Sequence, residues 1–156
     1  ENYYNVTIIT QNVDDLHERA GSSNVLHLHG ELKKVQSTLD SSLLYTMEDW
    51  ELKVGDTCEK GGQLRPHIVW FGEEVPNILP AADMVSKADC LIVVGTSLNV
   101  YPAAGLIHEA RQNIPIYLVD PSDVDTGFLK GVQIIQANAG EGLTSLVNEL
   151  LENNKK

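Results

Sequence analysis

Cysteine is scarce in this chain, with only Cys58 and Cys90 among 156 residues. Two thiols are too few for a disulfide framework and too few for a four-thiolate zinc site, so a reduced, cytoplasmic setting is the simplest expectation. Positive charge is thin as well. Eleven Lys and Arg face 22 Asp and Glu, for a formal net charge of -11. Without clustered Lys and Arg to hold phosphates, nucleic acid is excluded as a direct partner. An acidic surface suits basic partners such as lysine-rich protein segments, although plain solubility is the simpler reading of charge alone. No apolar run approaches the roughly 20 residues that span a bilayer, and no charged-then-apolar leader opens the chain, so no membrane partner is expected. The chain also lacks an initial Met and leads at once into a strand-like run, which predicts a fragment of a longer protein.

What is present fits one main soluble domain, with 42% hydrophobic and 21% charged residues. Five short apolar runs read as strands: Val6 to Ile9, Ile68 to Phe71, Cys90 to Val94, Ile114 to Val119 and Val132 to Ile135. They are near-continuous, as in a sheet buried on both faces. Helical patterns lie between them, over Pro80 to Ala88, Ala103 to Gln112, and a last stretch in which Leu143, Leu146, Val147, Leu150 and Leu151 share one face. Strands alternating with helices predict an α/β fold with a doubly wound parallel sheet. Residues 31–62 break the pattern, being polar and weakly periodic, and read as an insertion in a main domain of residues 1–30 and 63–152. Residues 153–156 form a polar tail.

Chemistry concentrates after the first strand, in Thr10-Gln11-Asn12-Val13-Asp14-Asp15-Leu16-His17. Amide donors and carboxylate acceptors at a strand end can recognise ribose hydroxyls and a carboxamide; the same residues also cap turns and helix starts. His29-Gly30 follows, an imidazole beside a residue that permits an unusual backbone path. His27 has no motif position, and period-2 geometry would place it on the same face as His29. A third segment, Leu64-Arg65-Pro66-His67-Ile68-Val69-Trp70-Phe71-Gly72-Glu73, joins a short strand to a Gly and offers an edge for an extended peptide. A fourth, Gly95-Thr96-Ser97-Leu98-Asn99-Val100-Tyr101-Pro102-Ala103-Ala104, sets N–H groups and hydroxyls at a strand's carboxyl end.

These four segments, in this order from Thr10 to about Leu151, resemble the sirtuin (Sir2) family of NAD-dependent protein deacylases, bacterial type. The resemblance implies a Rossmann-like domain and transfer of an acyl group from lysine to ADP-ribose with release of nicotinamide. It assigns His29 as general base and Asn12 as a second catalytic residue. NAD would meet Gln11, Asn12, Val13, Asp14, Gly95, Thr96 and Ser97, with Leu118, Val119, Asp120 and Ala139 on the adenosine side. Leu118 stands where many members have Asn, and Asp120 is equally a ribose acceptor or a turn former before Pro121. An acyl-lysine peptide would lie along Val69, Phe71, Gly72 and Glu73, opposite Asn99 and Val100.

Two departures stand out. The family's zinc ribbon would place its ligands near Ser37, Asp40, Cys58 and Lys60, where only Cys58 can coordinate. No zinc is therefore expected, with Leu43, Leu44, Trp50 and Leu52 forming a small core and Cys58 a remnant. The family's opening G-A-G-x-S segment, which cradles phosphate, has no counterpart either, so the first strand of the sheet is expected to be missing. The rival readings are a peptide-binding module without catalysis and a dinucleotide dehydrogenase, the latter lacking any G-x-G-x-x-G.

Overall fold

The structure, a computed structural model, describes residues 1–96, 98, 100–124 and 131–153. The chain divides into two compact units, one holding residue 1 and residues 5–78, the other residues 2–4 and 79–156.

In the first unit, β1 (Ile8–Thr10) and β2 (Val25–His27) pair in parallel, with the short helix α1 (Leu16–Arg19) between them. The chain then enters β3 (Gly30–Ser37), which pairs antiparallel with β4 (Leu44–Thr46) on one side and β5 (Leu64–Ile68) on the other. Residues 31–62, read from sequence as a weakly periodic insertion, thus supply most of a three-stranded antiparallel sheet. Their period of 2 is masked by a register shift between Gly30 and Val35, which leaves the neighbours Leu32 and Lys33 both exposed.

The strand expected over Ile68 to Phe71 lies earlier, ends at Ile68, and belongs to this antiparallel sheet. Pro66 is tolerated because β5 is an edge strand. Trp70 and Phe71 have strand-forming side chains, yet the chain turns there. The cause is Glu73, whose carboxylate accepts from the Trp70 N–H at 2.9 Å and clasps the Arg65 guanidinium at 2.6 and 3.0 Å.

The second unit is a parallel sheet of β6 (Leu91–Val94), β7 (Ile116–Val119) and β8 (Val132–Ile135), with β7 in the centre. Alternating residues of β7 face two separate cores, which is why the strand reads as continuously apolar. Ile116 and Leu118 pack with Ala104, Ile107 and Val124, whereas Tyr117 and Val119 pack with Leu143, Leu146 and Leu150 of α3 (Ala139–Asn153). Val147, expected on that apolar face, is 43% exposed. Helix α2 (Ile78–Lys87) and a short 3-10 helix over Ala103–Glu109 complete the α/β pattern. The 3-10 form replaces the longer α-helix expected to Gln112. No helix among the described residues is long and apolar enough to cross a membrane.

Candidate functional site

The loop after β1 is pinned by its own backbone. Four successive carbonyls, from Thr10 to Val13, each accept a hydrogen bond from the segment His27–Leu32. Thr10 accepts from the Leu28 N–H at 2.9 Å and Val13 from the Leu32 N–H at 2.7 Å. Between them, the Gln11 carbonyl meets His29 Nδ1 at 3.2 Å and the Asn12 carbonyl meets His27 Nδ1 at 3.0 Å. A carbonyl can only accept, so both Nδ1 atoms carry hydrogen. In neutral His29 this leaves the lone pair on Nε2, the arrangement a proton acceptor needs.

Gly30 makes that geometry possible. Its φ is +86°, and a Cβ there would stand 2.0 Å from the His67 carbonyl oxygen, where β3 closes on β5. No residue with a side chain fits this position.

Asn12 is exposed, while Gln11, Val13, Asp14 and His29 are half-buried. The Asp14 carboxylate accepts from the Leu16 N–H at 3.1 Å, so the capping role open to it from sequence is occupied. Asn77 and Glu18, which sequence reasoning did not single out, act on the same segment. Asn77 donates to the His27 carbonyl at 2.7 Å, and the Glu18 carboxylate meets His27 Nε2 at 2.8 Å. Only proximity in the fold identifies them.

Along the third motif, the Val69 N–H donates to the His29 carbonyl at 2.9 Å, tying it to the histidine segment. Gly72 has φ +89°, and Phe71 beside it is fully exposed. Glu73 holds Arg65 and Trp70, so its carboxylate shapes the turn from Trp70 to Glu73. Arg65 lowers the Glu73 pKa below the usual carboxylate range.

In the second unit, Gly95 has φ +63° and its N–H bonds the Val119 carbonyl at 3.0 Å, which places it and Thr96 just past β6. Val100 is exposed, while Ser97 and Asn99 lie outside the described residues. Leu118 and Val119 are fully buried, so their side chains serve the two cores and only their backbone can meet a ligand. Asp120 is buried and accepts from Ser122 Oγ at 2.6 Å and the Ser122 N–H at 2.8 Å; these bonds lower its pKa. Ala139 opens α3 and is exposed.

At the zinc-ribbon positions the four residues pair off. The buried Cys58 thiol donates to Ser37 Oγ at 3.1 Å, and Lys60 Nζ donates to Asp40 at 2.7 Å. Lys60, together with Ser42, holds the Asp40 carboxyl down to about 2. A single thiol, an alcohol already receiving hydrogen bonds and an ammonium do not make a tetrahedral zinc site, so these residues do not fit the metal. Among the described residues, no three His, Cys, Asp or Glu side chains are grouped to hold a metal ion. The small core expected from Leu43, Leu44, Trp50 and Leu52 does not form, since Leu44 is 46% and Trp50 88% exposed. Val35, Ser37 and Cys58 are buried instead. Cys58 is thus a packed, hydrogen-bonded side chain.

A parallel α/β sheet apolar on both faces, with a polar loop and an H-G pair in a separate mixed unit, defines a Rossmann-like class of protein. The family model of the Sir2 family matches residues 1–102. The chain is 49% identical over 156 residues to an NAD-dependent protein deacylase of Bacteroides thetaiotaomicron, covering 97% of this chain and 67% of that protein. It is 56% identical over 128 residues to an NAD-dependent protein deacylase of Aggregatibacter actinomycetemcomitans, covering 82% of this chain and 61% of that one. A crystal structure of a Sir2 homologue in complex with NAD superposes with TM-score 0.81 at 38% identity, over 95% of this chain and 59% of its own. A complex of Sir2, p53 peptide and NAD superposes with TM-score 0.73 at 30% identity, over 92% and 62%. The chain belongs to the Sir2 family. It spans about two thirds or less of the length of these relatives.

Proposed function

We propose that the protein to which this chain belongs is an NAD-dependent protein-lysine deacylase that works in the cytoplasm on acyl-lysine proteins or peptides. The observation that carries this is His29, with Nδ1 committed to the Gln11 carbonyl and Nε2 left to accept a proton, directly beside the Gln11–Asp14 loop. NAD supplies a ribose carbon that parts from nicotinamide, and so an ADP-ribose to receive the acyl group. Gln11, Asn12, Val13 and Asp14 would hold its nicotinamide and ribose portion, with Asn12 acting beside His29. His29 Nε2 would take the proton of a ribose hydroxyl. Gly95, Thr96, Ser97, Leu118, Val119, Asp120 and Ala139 would hold the rest, the buried Leu118 and Val119 through backbone alone. The acyl-lysine strand would lie along Val69, Phe71, Gly72, Glu73, Asn99 and Val100. The relatives named as deacylases and the solved complexes with NAD and a p53 peptide support the reading. The insertion, on this reading, needs no zinc.

His29→Ala in the full-length protein is the test. Nicotinamide release and deacylation of an acetyl-lysine peptide should fall roughly 10²- to 10⁴-fold, the range for loss of a general base, with folding retained. A variant that keeps wild-type turnover would overturn the assignment.

A further inference from the structure

His27 and His29 stand two residues apart, and each ring spends Nδ1 on a carbonyl of the same loop. They differ at the other nitrogen. Among the described residues His29 has no protein acceptor at Nε2, whereas His27 Nε2 faces the Glu18 carboxylate at 2.8 Å. Both partners of the His27 ring are acceptors, the Asn12 carbonyl on one side and Glu18 on the other. Only the doubly protonated imidazolium can donate to both. A neutral ring would lose one bond and set lone pair against lone pair in a site where the side chain is only 7% exposed.

We infer that His27, held as an imidazolium between Glu18 and the Asn12 carbonyl, is a positioning residue that fixes the Gln11–Asp14 loop for proton transfer at His29. The inference rests on the deacylase reading for its consequence in catalysis, and on geometry alone for the clamp. Asn77, through its bond to the His27 carbonyl, steadies the strand end that carries the ring. The charged groups facing the ring are Glu18 from α1 and Glu31 from β3, both acidic. Burial by itself would lower the His27 pKa, but the bonds to Glu18 and Asn12 outweigh it and the net shift is upward. A group with a raised folded pKa stabilises the native form fully below its unfolded value, about 6.5 for His, and loses that contribution as pH rises through the folded value. The clamp is therefore closed on the acid side and released on the alkaline side.

Two near-isosteric variants separate the clamp from mere packing. In His27→Asn the amide nitrogen takes the place of Nδ1 and keeps the Asn12 bond; in His27→Gln it takes the place of Nε2 and keeps only Glu18. In the full-length protein, kcat/KM for NAD should stay within about threefold for His27→Asn and fall at least about tenfold for His27→Gln, with KM for the peptide unchanged. Glu18→Gln should shift the alkaline fall of the rate to lower pH. Gln performing as well as Asn, or both losing rate only in step with folded protein, would overturn the inference. Hydrogen exchange supplies a readout without turnover: the Asn12 and Leu16 amides should exchange at least about tenfold faster in His27→Gln and at the wild-type rate in His27→Asn. Equal exchange in both sinks the clamp. A wild type that folds but shows no NAD-dependent deacylation sinks the deacylase reading, and the exchange result still decides the clamp.

Discussion

The loop segment Gln11–Leu32 and the insertion patch Ser37–Gly62 use similar polar side chains to opposite ends. In the patch the polar groups bind each other: Cys58 to Ser37, Lys60 to Asp40, Tyr45 to Glu59. Ser37 Oγ also accepts from the Leu39 and Asp40 N–H groups at 3.1 and 3.3 Å. In the loop segment, side chains bind backbone carbonyls, and His29 keeps one ring nitrogen without a protein partner among the described residues. A region whose polar atoms pair among themselves is a fastener. One that fixes its backbone and holds back a titratable atom is arranged for a substrate.

Substitutions on the two sides sharpen that contrast. Gly30→Ala should cost the most, about 4 kcal/mol or more in urea unfolding, because both φ and the 2.0 Å approach to the His67 carbonyl forbid a Cβ. Gly61→Ala in the patch also carries a positive φ, +77°, but its Cβ would meet open space; about 1 kcal/mol is expected. Equal losses at the two glycines would break the comparison.

Ser37→Ala falls between them. It strands the Cys58 thiol and two backbone N–H groups at a site that is 2% exposed, for about 2 kcal/mol, with no loss of catalytic rate in the folded protein. A rate defect would mean that the patch is more than a fastener. The smallest effect is expected from metal removal. Chelation should leave the unfolding midpoint unchanged, and elemental analysis should find zinc far below one atom per chain. Stoichiometric zinc would overturn the metal-free reading of Ser37, Asp40, Cys58 and Lys60.

The parallel sheet was legible because β6, β7 and β8 are apolar on both faces, and the cores around Leu118 and Val119 show why. The antiparallel sheet was not, because the register shift between Gly30 and Val35 breaks the period of 2 and Pro66 argues against a strand. Ile68 to Phe71 read as strand from composition, and a charge pair between Arg65 and Glu73, eight residues apart, turns the chain after Ile68. His29-Gly30 was legible as a motif. Its neighbours Glu18, His27 and Asn77 were not, since contacts across 9, 15 and 50 residues leave no local pattern.

By itself, then, the sequence determined the α/β class and the family, because residue type and order carry those directly. Tertiary structure decided what each residue spends its hydrogen bonds on. Of two histidines separated by one residue, only His27 meets a carboxylate among the described residues, and that carboxylate is brought to it by the fold.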